Sequence, residues 1–145
     1  MAEVVFNIGK QRIMQGLSDL DGGDLRVAVI VGSKVGIVST LADLAAIDAL
    51  SGVNFGPDRV TLTSLAVTIV TGAGQAGAAT ITIPASANTA LGILFYDNNA
   101  QAGTPPTGDG SRFPIMFSDT GFSTGVDLTS GGMTVTLPNG WLRGT

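Results

Sequence analysis

The sequence predicts a mainly β fold, an antiparallel β-sandwich or barrel-like sheet carrying two short helices in its N-terminal third. Apolar residues alternate at period two through Arg59–Val70, Ala78–Ile83, Leu91–Asp97 and Met133–Leu137. Glycine, proline and asparagine punctuate these runs at close intervals, the pattern of short strands joined by turns. Helical spacing is confined to two segments near the N-terminus.

In chain order, Phe6–Leu20 places Phe6, Ile13, Leu17 and Leu20 on one helical face, with Lys10, Gln11, Arg12 and Gln15 free for the other. Asn7 is the candidate cap, and Gly16 weakens the last turn. Leu25–Val31 is apolar on both faces, which suits a central strand. Thr40–Leu50 supplies a capping Thr40, Asp43 three residues on, an apolar face of Leu44, Ile47 and Leu50, and a stop at Gly52. The β runs follow. Asn98–Ser111 has no periodicity and reads as an exposed loop able to reach a neighbouring molecule.

The length of 145 residues fits one domain spanning 1–145. Charged residues make up 12% of the chain, about half the usual share, so the surface must consist largely of Ser, Thr, Asn, Gly and backbone. Such a surface is poorly guarded against association, which predicts coverage by partners or by copies of the chain itself. The net charge is −4, and the basic residues Lys10, Arg12, Arg26, Lys34, Arg59, Arg112 and Arg143 form no run that could neutralise a phosphate backbone. Direct nucleic-acid binding is therefore not expected. Glu3 and the amphipathic stretch from Phe6 break the pattern of a signal peptide, which points to synthesis and assembly in a cytoplasm. The uncharged stretch between Arg59 and Asp97 is interrupted by Gly72, Gly74, Gln75, Gly77, Pro84 and Asn88, so strands explain it better than a membrane span.

There is no histidine and no cysteine. This removes the commonest acid/base, thiol and metal-ligand chemistry and any disulfide. Three motifs nonetheless require weighing. Gly72, Gly74 and Gly77 form G-x-G-x-x-G, with Asp97 twenty residues on. The sequence after Gly77, AATITIPAS, alternates like a strand, so the helix that would face a pyrophosphate is missing and the three glycines read as a glycine-rich β-turn. Gly121, Ser123 and Gly125 form G-x-S-x-G, but a nucleophilic serine needs a base and the chain has no histidine to supply one. Asp19, Asp21 and Asp24 echo a calcium loop whose closing glutamate is replaced by Ile30. The aromatics Phe95, Tyr96, Phe113, Phe117, Phe122 and Trp141 suit core or subunit contacts rather than base stacking. No catalytic, cofactor-binding or metal-ligating residue is expected, and the chain reads as non-enzymatic.

Several segments together resemble a family of small virion structural proteins of tailed bacteriophages. They are FNIGKQRIMQG followed by an acidic turn and LRVAVIV, then ADLAAIDALSG at 42–52, RVTLTSLAVT, LGILFYDNNAQAGTPP, FPIMFSDTG and MTVTLPNGWLRGT. The chain departs from the family in having Arg26 and Val27 where Ile-Lys-Val is frequent, and in a short segment between the first strand and second helix. The resemblance covers nearly the whole chain in order, and the family has no catalytic residues to transfer. It implies a capsid decoration or cement protein on the outer surface of the head, binding the major capsid protein and copies of itself as a homotrimer. The alternative is a tail, neck-adaptor or fibre-base component. The N-terminal segment and the Asn98–Ser111 loop are the expected contact regions.

Overall fold

The computed structural model describes residues 3–18, 24–61, 67–70, 73–77, 79–99 and 108–137. Its elements are β1 (Glu3–Val5), α1 (Asn7–Met14), β2 (Leu25–Gly32), α2 (Leu44–Asp48), β3 (Val53–Thr61), β4 (Val67–Val70), β5 (Ala73–Ala76), β6 (Ala79–Ile83), β7 (Thr89–Ala90), β8 (Gly92–Asp97), a 3₁₀ turn (Asp109–Ser111), β9 (Phe113–Ser118), β10 (Val126–Asp127) and β11 (Met133–Leu137). The fold is mainly β with antiparallel sheets and two helices, as the alternation predicts. Its centre is a five-stranded sheet ordered β1-β9-β8-β2-β3, and three two-stranded pairs, β10-β7, β11-β6 and β4-β5, complete the strands described.

Strand β2 is central, flanked by β8 and β3, because it is apolar on both faces. Successive strand residues point to opposite sides, and the two sides bury separate clusters. Leu25, Val27 and Val29 of β2 join Ile93 and Phe95 of β8 beneath Ile81, Ile83, Leu128 and Leu137. Ala28 and Ile30 join Leu94, Tyr96 and Phe117 on the other face, beneath Phe6, Ile37, Leu44 and Ile47. One face is thus covered by β6 and β11, the other by α2 and the residues around α1. Between Ala28 and Ile30 the register with β3 shifts, so that Gly56, Pro57 and Asp58 stand opposite Val29 alone. Pro57 has no N–H to continue the ladder, and a bulge absorbs the mismatch.

Helix α1 is shorter than the predicted Phe6–Leu20. Gly16 adopts a left-handed φ of +68°, and the bonds Gly16 N–H to Ile13 O (3.1 Å) and Leu17 N–H to Arg12 O (2.8 Å) close a Schellman motif. The helix therefore stops there; Leu17 is 53% exposed rather than part of the buried face, and Leu20 lies outside the described residues. Nor does Asn7 cap it. Phe6 occupies the cap position without a side-chain bond, and the Asn7 N–H is satisfied by Ser39 O at 2.9 Å. Gly9 presses so closely on β9 that a Cβ would stand 2.8 Å from Ile115 Cα and from Pro114 O, which explains a glycine inside a helix.

Helix α2 is capped by Asp43, whose Oδ1 accepts from Ala46 N–H at 2.8 Å, not by Thr40. Its face is as expected, with Leu44 and Ile47 buried and Leu50 packed beside them. Of the run predicted as a strand over Arg59–Val70, residues 59–61 lie in β3 and 67–70 form β4, and residues 62–66 lie outside the described residues. Within the segment read as a glycine-rich turn, Ala73–Ala76 pairs with β4 as β5. No helix of the described residues is long and apolar enough to cross a membrane.

Candidate functional site

The arginines that are scattered in sequence converge at one end of the five-stranded sheet. Register fixes the arrangement: Leu25 pairs with Asp97, Asp97 with Phe113, and Arg26 with both Tyr96 and Thr61. Side chains from β2, β3, β8, β9 and α1 therefore meet where these strands end. Basic residues that form no run in the sequence are brought together here, because strand pairing gathers Arg26, Arg59 and Arg112 while α1 adds Arg12.

Each of these arginines is matched by a carboxylate. Asp109 is the hub. Arg59 donates from Nη1 to Oδ1 at 2.6 Å and from Nη2 to Oδ2 at 2.9 Å, and Arg112 Nη1 donates to Oδ1 at 2.7 Å. The first of these contacts outweighs the desolvation of a part-buried carboxyl, and with Arg112 it holds Asp109 down at about 2. Asp109 in turn raises Arg59. Arg112 Nε donates to Asn98 Oδ1 at 2.8 Å, Asn98 Nδ2 donates to Asp24 Oδ2 at 2.7 Å, and Arg26 grips the same carboxylate through Nε and Nη2, both at 3.0 Å. Burial acts to raise Asp24, but the bonds from Arg26 and Asn98 prevail and its pKa is lowered. The Tyr96 ring lies beneath this layer, 5.7 Å from Arg59 Cζ, and burial of its hydroxyl raises its pKa against the pull of that cation.

A second group adjoins the first. Arg12 Nη2 reaches Asp97 Oδ2 at 3.1 Å and Asn99 Oδ1 at 2.9 Å, the Ser18 hydroxyl donates to the same Asp97 oxygen, and the guanidinium stands 4.0 Å from the Phe113 ring centroid. Asn99 adopts φ +53°, and its N–H is fixed by Asp97 Oδ1 at 2.7 Å. Together the two groups clamp the feet of the 98–112 connection. Asn98 marks one foot and Arg112 the other, and the Arg112 carbonyl also accepts Leu44 N–H at 3.1 Å, which ties α2 to the same point. Chemically the arrangement is an internally paired anchor of four guanidiniums and three carboxylates, in which Asp109 serves two arginines and bidentate pairs fix direction as well as distance.

The residues singled out by motif fall elsewhere or into structural roles. Ser123 lies with Gly121 (φ +84°) and Gly125 (φ +78°) in consecutive turns joining β9 to β10, a strand-to-strand connection rather than a strand-to-helix elbow. Gly74 is inside β5, Gly77 precedes strand β6 where a dinucleotide site needs a helix, and Asp97 is held by Arg12 and Ser18. Gly72, Asp19 and Asp21 lie outside the described residues, while the remaining member of the acidic triplet, Asp24, is engaged as above. Among the described residues, no three acidic side chains are grouped as metal ligands would be. Phe95, Tyr96, Phe117 and Phe122 are buried core, and Phe113 carries Arg12. Trp141, Arg143 and residues 100–107 of the expected exposed loop also lie outside the described residues.

The clamp was only partly visible in the sequence. D-x-R at 24–26 and D-G-S-R at 109–112 are local signals of ion pairs; nothing local links Arg59 to Asp109. Comparison of the chain with protein-family models, with curated proteins and with solved structures finds no match.

Proposed function

We propose that this chain is a non-enzymatic structural component of a tailed-bacteriophage particle, a decoration or cement protein on the outer capsid surface that bridges neighbouring major capsid subunits. The observation that carries this reading is how the chain uses its few charges. Arg12, Arg26, Lys34, Arg59 and Arg112 all form ion pairs within the fold, with Asp97, Asp24, Asp119 and Asp109. Those side chains stiffen the molecule instead of ionising its surface. Large apolar side chains remain exposed at Met14, Leu17, Val35 and Val38, which suits a protein that works through contacts with neighbours. The ordered likeness of its segments to phage virion proteins supplies the setting.

Cementing needs several modest contacts across subunit boundaries, since valency multiplies affinity without any single strong site. A homotrimer at a three-fold position has the right geometry, and the Asn98–Ser111 loop and the N-terminal segment are the regions assigned to contact. The reading is tested by cryo-electron microscopy of intact particles. Density at three-fold or quasi-three-fold capsid positions, in hundreds of copies, is the expected result. Density confined to the neck, tail or fibres would replace it with the tail-component alternative.

A further inference from the structure

We infer that the Asp109–Gly110 bond is a covalent-modification site held in check, an aspartyl–glycine pair that isomerises to β-aspartate once Asp109 is let go, and that the grip of Arg59 and Arg112 is what keeps it intact. The inference stands apart from the phage reading and concerns how long the fold keeps its clamp.

In this reaction the Gly110 nitrogen bonds to Asp109 Cγ, the amide proton and the carboxyl OH leave as water, and a succinimide ring closes. Water then opens either carbonyl of the ring. One opening restores aspartate; the other routes the main chain through Cβ and Cγ and leaves the former backbone carboxyl as a shortened side chain. Glycine is the most permissive residue to supply the nitrogen, because it has no Cβ to crowd the ring. Among the described residues, 109–110 is the one place where an aspartate or asparagine precedes glycine. Burial does not shelter it. The Asp109 side chain is 25% exposed, and a Cβ built on the exposed Gly110 would meet nothing within 4 Å. Water for the second step is therefore at hand.

Restraint comes instead from the clamp. Both carboxylate oxygens are engaged, Oδ1 by Arg59 Nη1 at 2.6 Å and Arg112 Nη1 at 2.7 Å, Oδ2 by Arg59 Nη2 at 2.9 Å. Ring closure would turn the carboxyl carbon toward the Gly110 nitrogen and break the bidentate pair. Arg59 is itself held, its guanidinium 5.0 Å from the Phe55 ring centroid and 5.7 Å from that of Tyr96. The 3₁₀ turn adds to this. Its bonds from Ser111 N–H to Gly108 O (3.1 Å) and from Arg112 N–H to Asp109 O (3.3 Å) fix the helical ψ that the ring must abandon. Protonation acts in the same direction. A carboxyl loses its oxygen as water only when protonated, and holding Asp109 at about 2 instead of the roughly 3.9 of a free aspartate lowers that form roughly 80-fold at neutral pH. The modification would in turn undo the clamp. A side chain one carbon shorter cannot span Arg59 and Arg112 together, and the Arg112 foot, which also ties α2 through Leu44, would be released.

The test is the β-aspartate content at residue 109, read by fragmentation mass spectrometry of peptides from the full chain aged at neutral pH, either folded or unfolded in urea. Folded wild type is expected to isomerise at least about tenfold more slowly than the unfolded chain. Arg59→Ala should raise the folded rate about tenfold, and Arg59→Lys, which keeps the charge but loses the paired geometry, by less. In urea all variants should age alike. Gly32→Ala, which strains the opposite end of the sheet without touching Asp109, controls for general loosening and should age like wild type. Urea midpoints establish that each variant is folded while it ages, and if Arg59→Ala does not fold, Arg59→Lys carries the comparison. Folded wild type ageing as fast as the unfolded chain, Arg59 variants ageing like wild type, or Gly32→Ala accelerating as much as they do would each overturn the inference.

Discussion

The two ends of the central sheet are closed by different means. At the end defined by Leu25, Asp97 and Phe113, side chains do the closing: Asp109 and Asp24 gather three arginines and Asn98, and Asp97 gathers Arg12, Ser18 and Asn99. At the opposite end, near Gly32, Val53, Gly92 and Ser118, glycines do it. Gly32, Gly36 and Gly52 adopt φ values of +77°, +89° and +76°, and a Cβ on Gly92 would stand 2.5 Å from the Phe117 ring. The ion pair of Lys34 with Asp119 reinforces that end. The difference teaches that the two ends depend on different things. Where the connection carrying α2 leaves β2 and enters β3, left-handed glycines turn the chain, whereas at the other end side chains distant in sequence, brought together by strand register, hold it through directional bonds.

The largest effect expected from breaking this contrast is at the glycine end. Gly32→Ala forces a left-handed φ on a residue with a Cβ and drives that atom to 2.4 Å from Gly52 O. Strain and overpacking together should cost about 3 kcal/mol, read as a lower midpoint in urea unfolding. If stability hardly changed, the glycine end would be more plastic than its geometry states.

At the clamped end, Asp109→Ala removes three charge-assisted bonds at a site that retains some solvent, so about 1–2 kcal/mol is expected. The diagnostic is local: amide exchange should accelerate at Asn98 and through 108–112 while β2 and β8 stay protected. Uniform acceleration would mean that the hub supports the whole sheet.

Acid sharpens the same point. Asp109 is held at about 2 in the folded protein, below the roughly 3.9 of an unfolded aspartate. The unfolded chain therefore binds more protons across that interval. The stability contributed by the hub is complete above pH ~4 and disappears as pH falls through about 2. Asp24, also lowered, acts in the same sense. Unfolding free energies measured from pH 5 to 2 should fall more steeply for wild type than for Asp109→Asn, which has no carboxylate to titrate there.

The smallest effect belongs to Asp43→Ala, which deletes the α2 cap and should cost about 1 kcal/mol. Because Leu44 N–H also binds the Arg112 carbonyl, exchange at α2 should rise more in the double variant with Asp109→Ala than the two single changes sum to. Simple additivity would show that the helix and the clamp are independent.

The sequence by itself determined the mainly β class, the central position of β2, the boundaries of β11 and the buried face of α2, because period and apolar content act over a few neighbouring residues. It also showed that the stretch from Val60 to Tyr96 carries no Asp, Glu, Lys or Arg. It did not reveal that Asn7 would leave its capping to the Ser39 carbonyl, or that a glycine-rich turn would contain β5. Only the tertiary structure decided the clamp. Arg59 and Asp109 are fifty residues apart and meet through the pairing of β3 with β2, β2 with β8 and β8 with β9. Directional bonds between distant side chains depend on strand order and register, and those are chosen by the packing of the whole sheet rather than by any local window of sequence.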